Sequence, residues 1–223
     1  MMMQRQSPIV PVCLAVAAIM FAAAPFLIDA APYEATMGLI QRIFYFHVPS
    51  AMVMFGSAFV CGISSAIFLA NRSSRADAVA VSAAELVVVF GLIVLVTGPV
   101  WAKKAWGVWW QWDARLTSSL VLWLIFVSYL MLRRFAGVGS EMLAAAVGVF
   151  GMANVPFVYW SVNVWRTIHP DTNVVRTLAP EMRLPFYWCA VAFVILYVAL
   201  LLTRVRLQNS RMALEAAYAE IED

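Results

Sequence analysis

Five of the six longest apolar stretches in this chain carry no charged residue. They run over roughly 8–28, 48–70, 116–132, 142–162 and 186–203, and the sixth, 78–100, carries only Glu85. About 20 apolar residues in a row is the length a helix needs to cross a bilayer. Only helices and closed barrels satisfy their backbone in lipid, and runs of this length suit helices. Hydrophobic residues make up 64% of the 223 residues and charged residues 12%. A soluble domain is roughly 25% charged. The expected fold class is therefore all-α: a polytopic membrane protein of six transmembrane helices, forming one integral membrane domain over 1–223. An external Trp-rich helix or loop and a polar tail over 204–223 complete it.

The first run could be mistaken for a secretory signal, because "LIDAAPYEA" offers small residues for cleavage. Only Arg5 precedes it and the apolar run is long, so it is read as a retained span. The tail ends in "MALEAAYAEIED", which reads as a separate short helix at the membrane surface or in solvent.

Six spans put connections one (29–47), three (101–115) and five (163–185) on one side. Connections two and four lie on the other, with both termini. The first set is long and rich in Trp, Arg, His and Pro; the second is short and plain. Charge barely distinguishes the sides. The terminal side holds Arg5, Arg72, Arg75, Arg133, Arg134, Arg204, Arg206 and Arg211. The other holds Arg42, Lys103, Lys104, Arg115, Arg166, Arg176 and Arg183. The denser arginines of the short connections favour termini inside. The cations outside would then need another purpose, such as holding an anionic ligand. No Lys/Arg run points to a nucleic-acid partner.

"WGVWWQWDARLTSS", residues 106–119, gathers Trp106, Trp109, Trp110 and Trp112, followed by Asp113 and Arg115. If 106–113 is helical, Trp106, Trp109, Trp110 and Asp113 share one stripe. An interfacial aromatic belt explains isolated tryptophans such as Trp101, Trp160, Trp165 and Trp188. It explains four in seven residues poorly, because a belt is spread around the protein. A stripe of indoles also makes a dry platform for a flat apolar ligand such as a porphyrin. Asp113 reads either as the N-cap of span four or as a partner for Arg115 or the lysines at 103–104.

The only histidines, His47 and His169, fall on the same side as the tryptophans, each close before a proline. Each can be a hydrogen-bonded interfacial histidine. Together they could supply two axial ligands to haem iron. Arg42, Arg115 and Arg166 can bind carboxylates bidentately, as haem propionates require, or can anchor at lipid headgroups. Glu85 has no visible basic partner within the spans and reads as a protonated acid hydrogen-bonded to a neighbouring helix. Cys13, Cys61 and Cys189 lie in apolar runs and read as unpaired buried hydrophobes. No C-x-x-C-H attaches haem covalently to this chain. No G-x-x-x-x-G-K-[ST] supports ATP hydrolysis, so a binding and transfer protein is expected rather than an enzyme.

These residues resemble a known family. "WGVWWQWDARLT", within 106–117, resembles the WWD signature W-G-x-x-W-x-W-D-x-R-L-T of membrane haem-handling proteins. "QRIFYFHVPSA" and, more loosely, "SVNVWRTIHP" resemble the segments around the two external histidines of the cytochrome c maturation protein C (haem exporter protein C) family. Six spans and two histidines fit that branch. The resemblance implies that the WWD segment faces the periplasm and holds haem b transiently; reversible delivery suits a shallow interfacial site better than a buried pocket. His47 and His169 would stand at the iron. It further implies a bacterial inner membrane location with cytoplasmic termini and delivery to a CcmE-type periplasmic haem chaperone. An ABC ATPase and permease of the CcmA and CcmB type and a small single-span CcmD-type subunit would act with it. The rival expectation is a haem b or quinone-reactive redox subunit, which would hold haem by histidines deep within spans. A permease using the tryptophans only as an anchor is a third.

Overall fold

The structure is a computed structural model that describes residues 8–137, 139–170 and 173–222. Among these residues there is no strand. Six helices are each long and apolar enough to cross a membrane. They are α1 (Ile9–Ala30), α2 (Phe44–Asn71), α3 (Ser74–Trp106), α4 (Ala114–Phe135), α5 (Ser140–Val164) and α6 (Pro180–Glu222). A short 3₁₀ turn over Leu39–Ile43 leads into α2.

The sequence sets the ends. Arg72 turns left-handed (φ 59°) to stop α2, and Ser73 caps α3 by accepting the Ala76 amide at 3.3 Å. Lys103 and Lys104 occupy the last turn of α3, where cations suit the helix dipole. Gly107 (φ 80°) then ends the helix, in a conformation that costs glycine nothing. Residues 107–113 are not helical, so the single Trp106–Trp109–Trp110–Asp113 stripe does not form. Asp113 instead caps α4, accepting the Leu116 amide at 2.8 Å.

The tail is not a separate helix. α6 runs on unbroken for 43 residues, because no Gly or Pro follows Pro185 and "MALEAAYAEIE" is made of strong helix formers. At 1.5 Å per residue it is about 64 Å long, twice the hydrocarbon thickness.

Helices α2 to α5 close tightly in the half away from the tryptophans. A Cβ built on Gly62 of α2 would meet Met152 of α5 at 2.3 Å, and one on Gly91 of α3 would meet Trp123 of α4 at 2.6 Å. Only glycine allows these approaches. Trp123 also donates to the Val88 carbonyl at 2.9 Å. α1 lies outside against α6, with Phe21 edge-on to Phe193 at 5.0 Å and Trp188 donating to Met20 O at 2.8 Å.

Two ion pairs tie helices at this closed end. Asp77 and Arg133 meet at 2.7 Å with side chains 8% and 15% exposed. Glu85 is gripped by both arms of Arg204 at 2.5 Å. Glu85 is thus not a lone acid sharing a hydrogen bond with its neighbour. Its partner follows the apolar run of α6, and the long arginine side chain reaches back along the helix to it. Cys13, Cys61 and Cys189 are free; Cys61 and Cys189 are buried as expected, whereas Cys13, on the outer helix α1, is only partly buried.

Candidate haem site

Where the close contacts end, helices α2 to α5 and the connection after α5 enclose a cavity of about 370 Å³. Its wall includes His47, Trp101, Trp106, Trp110, Arg115 and His169. Both histidines therefore meet one space, at the end of the bundle where connections three and five join. Along α3 the lining runs from Trp106 down to Val94. That is 12 residues, or about 18 Å of helix. The cavity is a pocket reaching along α3 into the bundle rather than a flat shelf of indoles, because the helices separate over this length.

His47 lies in the first turn of α2 and is 7% exposed. α3 holds its ring. Thr97 Oγ1 lies 2.8 Å from Nδ1, and the Trp101 indole meets the imidazole edge-on at 5.6 Å. A methyl on Gly98 would touch Cε1 at 3.4 Å. His169 lies in the connection after α5, its Nδ1 2.7 Å from the Pro170 carbonyl. A carbonyl only accepts, so His169 carries its proton on Nδ1 and leaves the Nε2 lone pair free. Burial, reinforced by the Arg115 guanidinium, pulls the His169 pKa down to about 4, against weaker opposing pulls from Pro170 O and Asp113. His169 is neutral at physiological pH and able to bind a metal.

Asp113 holds the His169 segment in place. Its Oδ2 accepts the Thr167 hydroxyl and, at 3.1 Å, the Ile168 amide; Thr167 Oγ1 accepts the His169 amide at 3.0 Å. Asp113 makes no ion pair with Arg115 or with Lys103 among the described residues. Lys103 instead donates to Gly107 O at 3.0 Å, beneath the Trp109 ring at 6.0 Å.

Arg115 donates to Val158 O at 2.5 Å and sits over the Phe55 ring at 5.8 Å. Among the described residues no carboxylate pairs with it. A largely buried guanidinium without a counter-charge is costly, and an anionic ligand group in the cavity would offset that cost. Trp110 Nε1 is likewise buried without a partner among the described residues. Trp101 and Trp106 stack at 6.4 Å and 24°, extending the aromatic wall.

The other expected site residues lie outside this cavity. Trp109 and Trp112 are 59% and 76% exposed, although Trp112 touches Trp110 edge-on at 5.7 Å. Arg42 pairs with Asp29 at 2.8 Å over the Tyr33 ring. Arg166 is exposed. Conversely, Trp101, Tyr159 and Arg176 line the cavity without having been singled out. Trp101 was readable as a belt residue, and nothing local in the sequence ties Arg176 or Tyr159 to the site.

The donor set is two imidazoles, several indoles and a guanidinium with no carboxylate partner among the described residues, around one apolar space. It fits an iron porphyrin with carboxylate arms. The model of the CcmC family, "Heme exporter protein C", matches residues 1–220. The chain belongs to the heme exporter protein C family. It is 36% identical over 183 residues to "Heme exporter protein C" of Escherichia coli K12, covering 79% of this chain and 73% of that one. It is 34% identical over 185 residues to the Bradyrhizobium diazoefficiens protein of that name, covering 79% and 69%. The Paracoccus denitrificans protein is 31% identical over 196 residues, covering 84% and 81%. Membership of the heme exporter protein C family bears out the resemblance read from the WWD segment, and the six apolar helices bear out the fold class.

Proposed function

We propose that this chain holds haem b in the cavity between α2, α3, α4 and α5 and hands it to a CcmE-type periplasmic haem chaperone during c-type cytochrome biogenesis. The observation that carries this reading is the convergence of the chain's only two histidines on one cavity, beside Arg115, which no carboxylate pairs with among the described residues.

Haem is cargo here, and the residues that would hold its iron are His169, through Nε2, and His47, through an imidazole nitrogen. Trp101, Trp106 and Trp110 give the macrocycle an aromatic wall. Arg115, with Arg176 also on the cavity wall, would receive propionates. Arg42, already paired with Asp29, is left to hold the first connection. Trp109 and Trp112 suit the headgroup region. Asp113 keeps the His169 segment against the WWD segment, so the ligand and the aromatic wall move as one unit.

The proposed setting is a bacterial inner membrane, with termini cytoplasmic and the Trp and His connections periplasmic. An ABC ATPase and permease of the CcmA and CcmB type and a CcmD-type subunit complete the system. A redox subunit is less well supported, since one of the two imidazoles comes from a connection rather than a span. The test is handover. The purified chain is loaded with haem in nanodiscs and mixed with the haem-free chaperone. Covalent haem should appear on the chaperone faster than from free haem. Equal rates with and without the chain would sink the delivery role.

A further inference from the structure

Thr97 has one proton and two neighbours that compete for it. Its Oγ1 lies 2.7 Å from the Ile93 carbonyl, one turn back on α3, and 2.8 Å from His47 Nδ1. The carbonyl can only accept, so the hydroxyl proton goes there. What remains toward His47 is a lone pair. Both hydrogen bonds exist together only if His47 carries its proton on Nδ1.

We propose that Thr97 is a positioning residue that fixes the tautomer of His47, so that Nε2 offers its lone pair to the cavity. This rests on the haem reading for its purpose but not for its physics. Without the hydroxyl, His47 could carry its proton on either nitrogen, and the Nε2–H form cannot bind iron. The ring would also lose its fixed rotation, since the Trp101 edge and Gly98 bound it without anchoring it. A hydrogen bond from the distal N–H further raises the basicity of a ligating imidazole. The two histidines then arrive alike: each has Nδ1–H tied to an oxygen, one on a helix and one on a connection. Thr97 lies four residues before Trp101, so one face of α3 carries both the anchor and the aromatic wall.

The test exploits the fact that the chain has only two histidines. The full chain is labelled with ¹⁵N-histidine and studied in nanodiscs without haem, as wild type, Thr97→Val, Thr97→Ser and His169→Gln, the last to assign the rings. At neutral pH the wild-type His47 should show a protonated Nδ1 and an unprotonated Nε2. Thr97→Val should shift both nitrogens and Thr97→Ser should restore them. In the haem-loaded protein, Thr97→Val should weaken binding by about 10–100-fold, with Thr97→Ser close to wild type. A wild-type ring protonated on Nε2, or ring nitrogens unmoved by Thr97→Val, would overturn the proposal. Should the valine variant fail to fold, the wild-type tautomer and the serine variant still decide it. Ring nitrogens that behave as expected in a chain that binds no haem would uphold the positioning role and sink the haem reading.

Discussion

Asp113 and Thr167, on separate connections 54 residues apart, are joined by a hydrogen bond from the threonine hydroxyl to the carboxylate. The same carboxylate takes the Ile168 amide and, through its other oxygen, the Leu116 amide. One side chain therefore ends the WWD segment, starts α4 and holds the His169 segment.

Removing it should have two separable effects. Asp113→Ala loses a helix cap, worth about 1 kcal/mol, and charged-acceptor bonds worth about 1.5–3 kcal/mol. Asp113→Asn keeps one acceptor oxygen and so can cap α4, but it cannot also receive both Thr167 and Ile168. Thermal unfolding in detergent should rank wild type above Asn above Ala. The haem contribution of His169 should fall in both variants. An alanine variant as stable as wild type would show that the shared carboxylate ties nothing together.

Arg115 should discriminate by ligand charge. A charge-assisted hydrogen bond is worth about 1.5–3 kcal/mol, or roughly 10–150-fold in affinity. Wild-type chain should bind haem more tightly than haem dimethyl ester by that order, and Arg115→Lys, which keeps charge but loses the fork, should narrow the gap. The ester also serves as a folding control. An unchanged preference would remove Arg115 from the carboxylate role.

His169 gives a pH signature with a defined sign. Its pKa falls from the ordinary value of roughly 6.5 to about 4 in the folded chain. Its stabilising contribution is then fully present above pH 6.5, erodes as pH falls toward about 4, and is gone below. His169→Gln should flatten this part of the stability-versus-pH curve. Haem binding through His169 should hold from pH 8 to about 5 and fall only near 4. Loss of binding centred near 6.5 would mean that His169 is solvated.

The Glu85–Arg204 pair should behave as a coupled unit. Removing either partner leaves the other without its counter-charge beside the apolar runs of α3 and α6, so Glu85→Gln and Arg204→Gln should each lower the unfolding temperature. The double variant should recover part of the loss, with a coupling of about 0.5–3 kcal/mol in the cycle. Strict additivity would show that the contact contributes nothing.

Much of this was legible in the sequence, for identifiable reasons. Apolar runs give spans, and parity then placed His47, Trp106 and His169 at one end, where one cavity collects them. The N-cap at Asp113 is a local signal and was readable as one of two alternatives. Thr97 and Arg204 were not legible, because their partners lie 50 and 119 residues away and no local pattern marks them. The helical stripe over 106–113 misjudged a competition: Gly107 breaks α3, and Asp113 starts α4 rather than continuing it. Cavity depth depends on where helices part, and that is set by close contacts such as Gly62 with Met152, invisible along one strand of sequence.

The most direct measurement is the optical spectrum of the isolated chain, expressed with ample haem, as wild type, His47→Ala, His169→Ala and the double variant. The wild type should show a Soret band, each single variant a weaker and shifted one, and the double variant none. A double variant that keeps the full wild-type band would contradict the assignment of haem to this cavity.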